Sequence, residues 1–395
     1  MDKTKKRKII ISIVCISFIQ GLQFSVSPVL EQIARHYQGT DVSFVQMLIT
    51  GPSLISVCVA LISGWLAVKV SKKKLLIFAS LVAGISGIIP FWIDSFSVLF
   101  TVRMFYGISL GLSTTLNTAV VADFFEGEER VEVMGIQAAS IGAGMVLITT
   151  AAGWLGKMDF QNSYWINIIG FVALILIAAC LPDIGTEKAA GTEKIHLNQE
   201  VFAASAFALL EFMFLITFTT NISMHIAGSL KGNTAISGML TGIFSGIQII
   251  AGILLGRITK ITRRYTMPAA MLSFSVGAVL LSLFPSDIKM LMLGAIFCGF
   301  SQGVFIPTGM VTVADAAAPV ATAMASAVFT SAMSLGQFLS PTVLNTSSKV
   351  IFGEVETTKV YLIAAVGMAV SAVLAFVWRA GKRKEKVKNE YKGGI

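Results

Sequence analysis

Long apolar segments recur along the whole chain and are separated by short polar connections. A helix rises about 1.5 Å per residue, so about 20 apolar residues cross a hydrocarbon core about 30 Å thick. Segments of this kind are predicted at residues 9–30, 44–68, 75–93, 98–122, 133–155, 164–181, 201–226, 238–258, 267–284, 290–313, 323–343 and 360–378. The pattern predicts an all-α integral membrane protein with twelve transmembrane helices.

Composition and charge also indicate a lipid environment. Hydrophobic residues make up 55% of the chain and charged residues 13%, whereas about 25% of a typical soluble domain is charged. Lys and Arg concentrate at 3–8, 69–74, 257–264 and 379–392. Because basic connections stay on the cytoplasmic side, we expect both termini in the cytoplasm of a multi-pass protein of the inner, or plasma, membrane. The net charge of +9 then indicates contact with anionic lipids and not with nucleic acid.

The second half of the chain repeats the first at a constant separation of 192 residues. Identical residues occupy the pairs Met47/Met239, Leu48/Leu240, Ser53/Ser245, Gly107/Gly299, Gly111/Gly303 and Asp123/Asp315. Two copies of six helices enter the membrane from the same side, which predicts parallel repeats about an axis along the membrane normal and a central site between them. The predicted units are an N-terminal bundle at 1–181, a cytoplasmic linker at 182–200, a C-terminal bundle at 201–378 and a basic cytoplasmic tail at 379–395.

Residues 64–74 read GWLAVKVSKKK. They resemble the signature Gly-x-Leu-Ala-Asp-Arg-x-Gly-Arg-Lys that joins spans 2 and 3 in the major facilitator superfamily, although Val68 replaces the usual Asp. Arg103 and Gly107 are similar to the Arg-x-x-x-Gly pattern of span 4 in that family. The whole chain therefore resembles a major facilitator transporter, which implies alternating access.

Span 5 adds a narrower resemblance. Gly135, Gly144 and Gly153 have the nine-residue spacing of the twelve-span drug–proton antiporters, although Ile148 and Thr149 replace the Gly-Pro of that signature. This resemblance implies export of small organic compounds in exchange for protons.

The resemblance also implies a conformational latch. In the family, the loop between spans 2 and 3 engages an acid at the cytoplasmic end of span 4. The matching residues are Gly64, Lys69, Lys72 and Asp123, and Asp315 is the repeated acid. The alternative is that the basic residues only set the topology.

Two charged side chains are predicted inside the membrane, where an ionised group costs at least about 2.5 to 3.5 kcal/mol. Glu211 falls near the middle of span 7, where it could bind and release a coupling proton; the alternative is a neutral, hydrogen-bonded packing residue. Arg103 resembles the span-4 arginine to which the family assigns proton relay or substrate gating. Its alternative is an arginine that reaches the lipid headgroups.

Polar and aromatic side chains are expected to line a central substrate cavity. On span 7, an aromatic and polar stripe falls on the face of Glu211 at helical spacing, and deep amides occur on several other spans. Each amide could equally join two helices. The predicted set is Gln20, Gln23, Asn117, Gln137, Phe207, Phe214, Phe218, Asn221, Gln248, Gln302 and Gln337.

These features favour a secondary active transporter that exports small amphiphilic organic compounds in exchange for protons. The open alternative is a uniporter or proton symporter for a particular metabolite, such as an organic anion bound through Arg103. The predicted spans carry no cluster of His, Cys or acidic residues, so no metal site, cofactor or enzyme activity is expected. The expected partners are a small-molecule substrate, protons and lipids, and the chain is expected to act as a monomer.

Overall fold

The computed structural model describes residues 3–183, 185, 197–230, 233–317 and 322–392. These residues form helices, with no strand among them. Twelve helical segments of the described chain are long and apolar enough to cross a membrane, which confirms the predicted spans. The predicted linker at 182–200 lies mostly outside the described residues, and the predicted tail at 379–395 continues the last helix to Lys392.

The twelve spans have the following bounds. In the N-terminal half, span 1 comprises Lys3–Gly21, the 3-10 turns Leu22–Phe24 and Ser27–Val29, and Leu30–His36; spans 2 to 5 are Val42–Lys69, Lys72–Trp92, Phe96–Phe124 and Gly127–Leu155; span 6 comprises Phe160–Asn167 and Ile168–Cys180. In the C-terminal half, span 7 comprises Gln199–Leu215 and Thr217–Ser229; span 8 is Thr234–Ile253; span 9 comprises Leu255–Thr262, Arg263–Tyr265 and Thr266–Leu283; spans 10 to 12 are Ile288–Ala316, Thr322–Phe352 and Thr357–Lys392.

Span 1 is interrupted between Gly21 and Leu30, where two 3-10 turns replace the α-helix. Pro28 lies in the second turn, and proline has no amide hydrogen to donate to the preceding helical turn. At the break, 3-10 hydrogen bonds such as that from the N–H of Ser25 to the carbonyl oxygen of Leu22, over 3.2 Å, replace α-helical ones, and the carbonyl oxygens can accept further hydrogen bonds. These oxygens are bonded by a side chain from span 4, described below.

The internal repeat is also a repeat of helix packing. Gly107 of span 4 packs on the backbone of Pro52 in span 2, and Gly299 of span 10 packs on the backbone of Phe244 in span 8. A Cβ atom on either glycine would lie under 3.0 Å from the carbonyl oxygen of its neighbour. Both members of the second pair are 192 residues after those of the first, so the two halves bury the same close contact.

The two halves meet around a pseudo-twofold axis. The hydroxyl of Ser27 donates to the carbonyl oxygen of Thr219 over 2.5 Å, and the backbone N–H of Glu31 donates to the hydroxyl of Ser223 over 3.1 Å. In each pair the residues are 192 positions apart. Only residues beside a twofold axis contact their own symmetry copies, so the axis passes between spans 1 and 7.

Two further contacts join the halves at the end of the bundle away from the termini. Gln46 of span 2 is hydrogen-bonded to Asn345 of span 11 over 2.8 Å, and Gly153 of span 5 lies against Gly238 of span 8, where a Cβ on Gly153 would be 3.0 Å from the Cα of its neighbour. Gln46 corresponds to Gly238 in the repeat, and Gly153 corresponds to Asn345, each 192 residues later. The pseudo-twofold axis therefore relates one contact to the other. One is made by amide side chains and the other by glycine backbone.

Candidate functional site

A cavity of about 500 Å³ lies between spans 5, 8 and 10, in the half of the bundle nearer the termini. Its size is within the range of about 300 to 1,000 Å³ that is usual for small-molecule sites. Glycine, alanine, isoleucine and proline form most of its wall, and its polar side chains are Gln248 and Gln302. No residue of this wall carries a charge.

The two cavity amides have unused hydrogen-bonding capacity. The Oε1 atoms of Gln248 and Gln302 are buried and have no hydrogen-bond partner in the described part of the chain. Gln302 is only 6% exposed. Gly303 lets the backbone of span 10 approach the carbonyl oxygen of Gln248, so close helix packing fixes the backbones of the two residues relative to each other.

Other predicted cavity amides join helices of the N-terminal half. Gln20 donates to the carbonyl oxygen of Ser113 over 3.3 Å, and Asn117 donates to the hydroxyl of Ser17 over 3.0 Å. Both contacts connect spans 1 and 4. Gln137 of span 5 donates to a threonine hydroxyl of span 4 over 3.2 Å. These three side chains act as interhelical links in this conformation and do not line the cavity.

Gln23 and Gln337 meet in the middle of the interface between the halves. The hydroxyl of Ser53 donates to Oε1 of Gln337 over 2.6 Å, and the amide of Gln23 donates to the Ser53 hydroxyl over 2.8 Å. The two predicted cavity amides of spans 1 and 11 thus contact each other, directly over 3.4 Å as well as through Ser53. Gln23, Ser53 and Gln337 are the members of the contact between the two halves that lie nearest the middle of the membrane.

Asn221 belongs to a hydrogen-bonded group at the closed end. Its Oδ1 accepts a hydrogen bond of 2.8 Å from Gln46, whose Oε1 accepts one of 2.8 Å from Asn345. Gln46 therefore links span 2 to both spans 7 and 11, and it is fully buried. Sequence reasoning did not select Gln46, because a residue so near the start of an apolar segment resembles an ordinary interfacial amide.

The predicted aromatic wall of span 7 is not formed. Phe207 packs on Trp378 with ring centroids 5.5 Å apart, and the ring of Phe214 occupies the space beside Gly367, so both rings face span 12. Phe218 stacks on a phenylalanine of span 8 at 4.7 Å. Ile216 separates the two helices of span 7 but keeps helical backbone angles, so the stripe continues through it and the neighbours of each ring decide where that ring packs. These rings fill gaps inside the C-terminal half.

Glu211 is fully buried in span 7. Its Oε1 accepts a hydrogen bond of 2.7 Å from the hydroxyl of Ser301, and its Oε2 has no hydrogen-bond partner among the described residues. The ion pairs formed within that part of the chain do not include Glu211. An ionised carboxylate buried without a counter-charge costs several kcal/mol, so the site suits the uncharged acid. Because Ser301 directly precedes Gln302, Glu211 lies behind the cavity wall.

Arg103 is buried and caps the break in span 1. Its guanidinium group donates to the carbonyl oxygens of Leu48 over 2.9 Å, Gln23 over 2.5 Å and Leu22 over 3.4 Å. The negative end of a helix dipole also favours a cation at this position. The side chain therefore points into the N-terminal half, and the interpretation as an arginine reaching the headgroups is wrong. Its roles in proton relay or anion binding stay predictions.

The predicted latch residues lie at the end of the bundle that carries the termini. The Nζ of Lys72 is 2.6 Å from Oδ2 of Asp123, and only 5% of the lysine side chain is exposed. Gly64 and Lys69 lie in the last turns of span 2, and Asp315 is exposed at the end of span 10. The Lys72 ion pair joins spans 3 and 4 of one half and does not itself connect the halves, so a latch function stays a prediction.

These features define a helical membrane transporter with one end closed and a cavity near the other. The family model of the Major Facilitator Superfamily matches residues 11–215 and 201–394. The chain belongs to the major facilitator superfamily, and it is accordingly a multi-pass membrane transporter of small molecules and not an enzyme.

Relatives and solved structures agree with this assignment. Quinolone resistance protein NorA of Staphylococcus aureus (strain COL) is 24% identical over 277 residues, which cover 67% of this chain and 71% of that relative. A mutant of the nucleoside transporter NupG superposes with a TM-score of 0.75 at 17% identity, covering 93% of this chain and 99% of that one. A POT family transporter in complex with 5-aminolevulinic acid gives a TM-score of 0.79 at 10% identity, covering 94% and 96%. At these identities the solved structures establish the fold.

Proposed function

We propose that this chain exports small amphiphilic organic compounds in exchange for protons, by alternating access and with both termini in the cytoplasm. The observation that carries the proposal is the one-sided arrangement of the halves. Hydrogen bonds join them at the end away from the termini, while the uncharged cavity lies near the other end. Such an arrangement is suited to loading a compound from the cytoplasm or the inner leaflet.

The proposed coupling uses the contact between Glu211 and the cavity wall. Glu211 holds a proton while the Ser301 hydroxyl bonds its Oε1, since it forms no ion pair among the described residues. A compound that binds Gln302 displaces span 10 locally, which weakens the neighbouring Ser301 contact and releases the proton toward the cytoplasm. The halves then rock, the far end opens, and the compound leaves as Glu211 takes up a proton from outside. The protonated carrier returns to the conformation described above.

Three observations support export of an organic compound over the alternative of anion uptake. The cavity wall is apolar apart from two amides, and the relative NorA is named for resistance to quinolones. Arg103, which would bind an organic anion, is committed to backbone carbonyl oxygens of spans 1 and 2. The anion alternative therefore has no group on the cavity wall to support it.

The test is transport of fluorescent amphiphilic compounds, neutral and charged, into inverted proteoliposomes under an imposed pH gradient. We expect uptake that stops when the gradient is abolished. Glu211→Gln should lose gradient-driven uptake but keep exchange of labelled for unlabelled compound, because exchange needs binding and rocking without proton release. Glu132→Gln, which changes an exposed acid of span 5, is the matched control. Uptake that ignores the gradient, or full coupling in Glu211→Gln, would contradict the proposal.

A further inference from the structure

We infer that the cavity between spans 5, 8 and 10 selects electrically neutral compounds that carry an amide-like group, a hydrogen-bond donor beside an acceptor, on an apolar body. This inference rests on the proposed function, since it names the substrate class of the same site. It narrows that class, because amphiphilic export substrates include cations and carboxylates as well as neutral compounds.

The first argument is the charge of the wall. The wall consists of apolar residues and two neutral amides. A charged ligand would lose its hydration on entry and find no counter-charge in exchange. Glu211 is turned away toward Ser301, and Arg103 caps a helix break in the other half. Neither deep charge is available to a ligand in this conformation.

The second argument is the hydrogen-bonding capacity of the wall. A side-chain amide offers two donors and an acceptor with two lone pairs. The Oε1 atoms of Gln248 and Gln302 have no partner among the described residues, and a buried polar group without a partner is unfavourable. Both oxygens are buried as they stand, and a half-turn of either amide about its last side-chain bond exchanges its oxygen with its nitrogen. After such a turn of one side chain, an amide-like ligand group would donate to that oxygen and accept from the amide nitrogen of the other, as glutamine pairs with the donor and acceptor of an adenine edge.

The third argument is that the backbones that carry the two amides are held together. Span 8 and span 10 are in backbone contact at Gly303, where an added Cβ would meet both the carbonyl oxygen of Gln248 and a side chain of span 8. The two glutamines therefore project from a rigid corner formed by the backbones of spans 8 and 10. Fixed points of attachment favour ligands of matching geometry, because only the side chains, and not the helices, lose conformational freedom on binding.

The experiment compares four probes of similar size: carbostyril, a neutral lactam; naphthalene, which has no polar group; N-methylquinolinium, a cation; and quinaldate, a carboxylate. Binding to the full chain in nanodiscs is measured by equilibrium dialysis with no pH gradient. We expect carbostyril to bind at least tenfold more tightly than each of the others. Tighter or equal binding of the cation or the carboxylate would overturn the inference.

Variants of the corner assign the preference to its residues. Gln302→Leu and Gln248→Leu should each weaken carbostyril binding about tenfold while leaving naphthalene binding intact, which also shows that the variant is folded. Gln302→Glu should reverse the preference in favour of N-methylquinolinium. Gln161→Leu, at the opposite end of the bundle, is the matched control. Unchanged carbostyril affinity in both leucine variants would overturn the inference. Because no gradient is used, these results are independent of whether transport is coupled to protons.

Discussion

Replacing Gln46 by leucine should open the end of the bundle away from the termini. Gln46 is fully buried and makes hydrogen bonds of 2.8 Å to both Asn221 and Asn345 across the interface between the halves. Leucine has a similar volume, so packing is kept while two hydrogen bonds are lost. At about 1 kcal/mol for each bond, the closed state loses about 2 kcal/mol relative to a state in which the halves are apart at this end. That difference corresponds to about a 30-fold change in the equilibrium.

The assay is a distance measurement by double electron–electron resonance between spin labels at Gln38 and Ser286, exposed residues of the two halves at this end, after the four native cysteines have been replaced. The long-distance population should grow in Gln46→Leu. It should not grow in Gln161→Leu, an amide substitution at the same end that leaves the contacts between the halves in place.

A double-mutant cycle tests the pairing itself. Gln46→Leu and Asn345→Leu should be less than additive by about 1 kcal/mol, since both remove the same hydrogen bond. An unchanged distance distribution in Gln46→Leu, or strict additivity in the cycle, would refute the view that this amide contact holds the end closed.

Three further predictions concern stability and are measured as midpoints of thermal unfolding. Gly299→Ala should cost about 1 to 3 kcal/mol because its Cβ meets the backbone of span 8, whereas Gly246→Ala, with nothing within 4 Å, should be neutral. Arg103→Met should cost about 3 kcal/mol by removing three hydrogen bonds to carbonyl oxygens of spans 1 and 2, at about 1 kcal/mol each, and a methionine variant as stable as the parent would contradict this account. Hydrogen bonds from Tyr37 and a neighbouring histidine hold the pKa of Asp94 below its usual value. The stability that these bonds add is therefore present above about pH 4 and lost as the pH falls further. The unfolding midpoints of the parent and of Asp94→Asn should converge at low pH.

The twelve spans and the two halves were predictable because each follows from a property of short segments. A helix that crosses lipid must be long and apolar whatever it packs against. The repeat was visible in the sequence because close helix contacts require small residues. Gly107 makes such a contact with span 2, and Gly299 makes the equivalent contact with span 8. A buried carboxyl group was predictable at Glu211 because an acid inside an apolar run stands out.

The direction in which each side chain points was much less predictable. Gln248 and Gln302 line the cavity, whereas Asn117, an amide of similar predicted depth, joins spans 1 and 4. Phe218 lies on the same predicted stripe as Glu211 but stacks inside its own half. Hydrophobicity shows that a side chain is inside the membrane, and it does not show which neighbouring helix it meets.

The sequence by itself determined the number of helices, their division into two parallel bundles and the positions of the deep charges, since these depend on segment length, repetition and polarity. Only the tertiary structure decided where the halves touch. Gln46 and Gly238 are repeat equivalents, as are Gly153 and Asn345. Gln46 nevertheless meets Asn345 in an amide contact, whereas Gly153 meets Gly238 in a glycine contact. Equivalent positions become partners only when two bundles are placed around a common axis, and that placement depends on contacts between residues far apart in the chain.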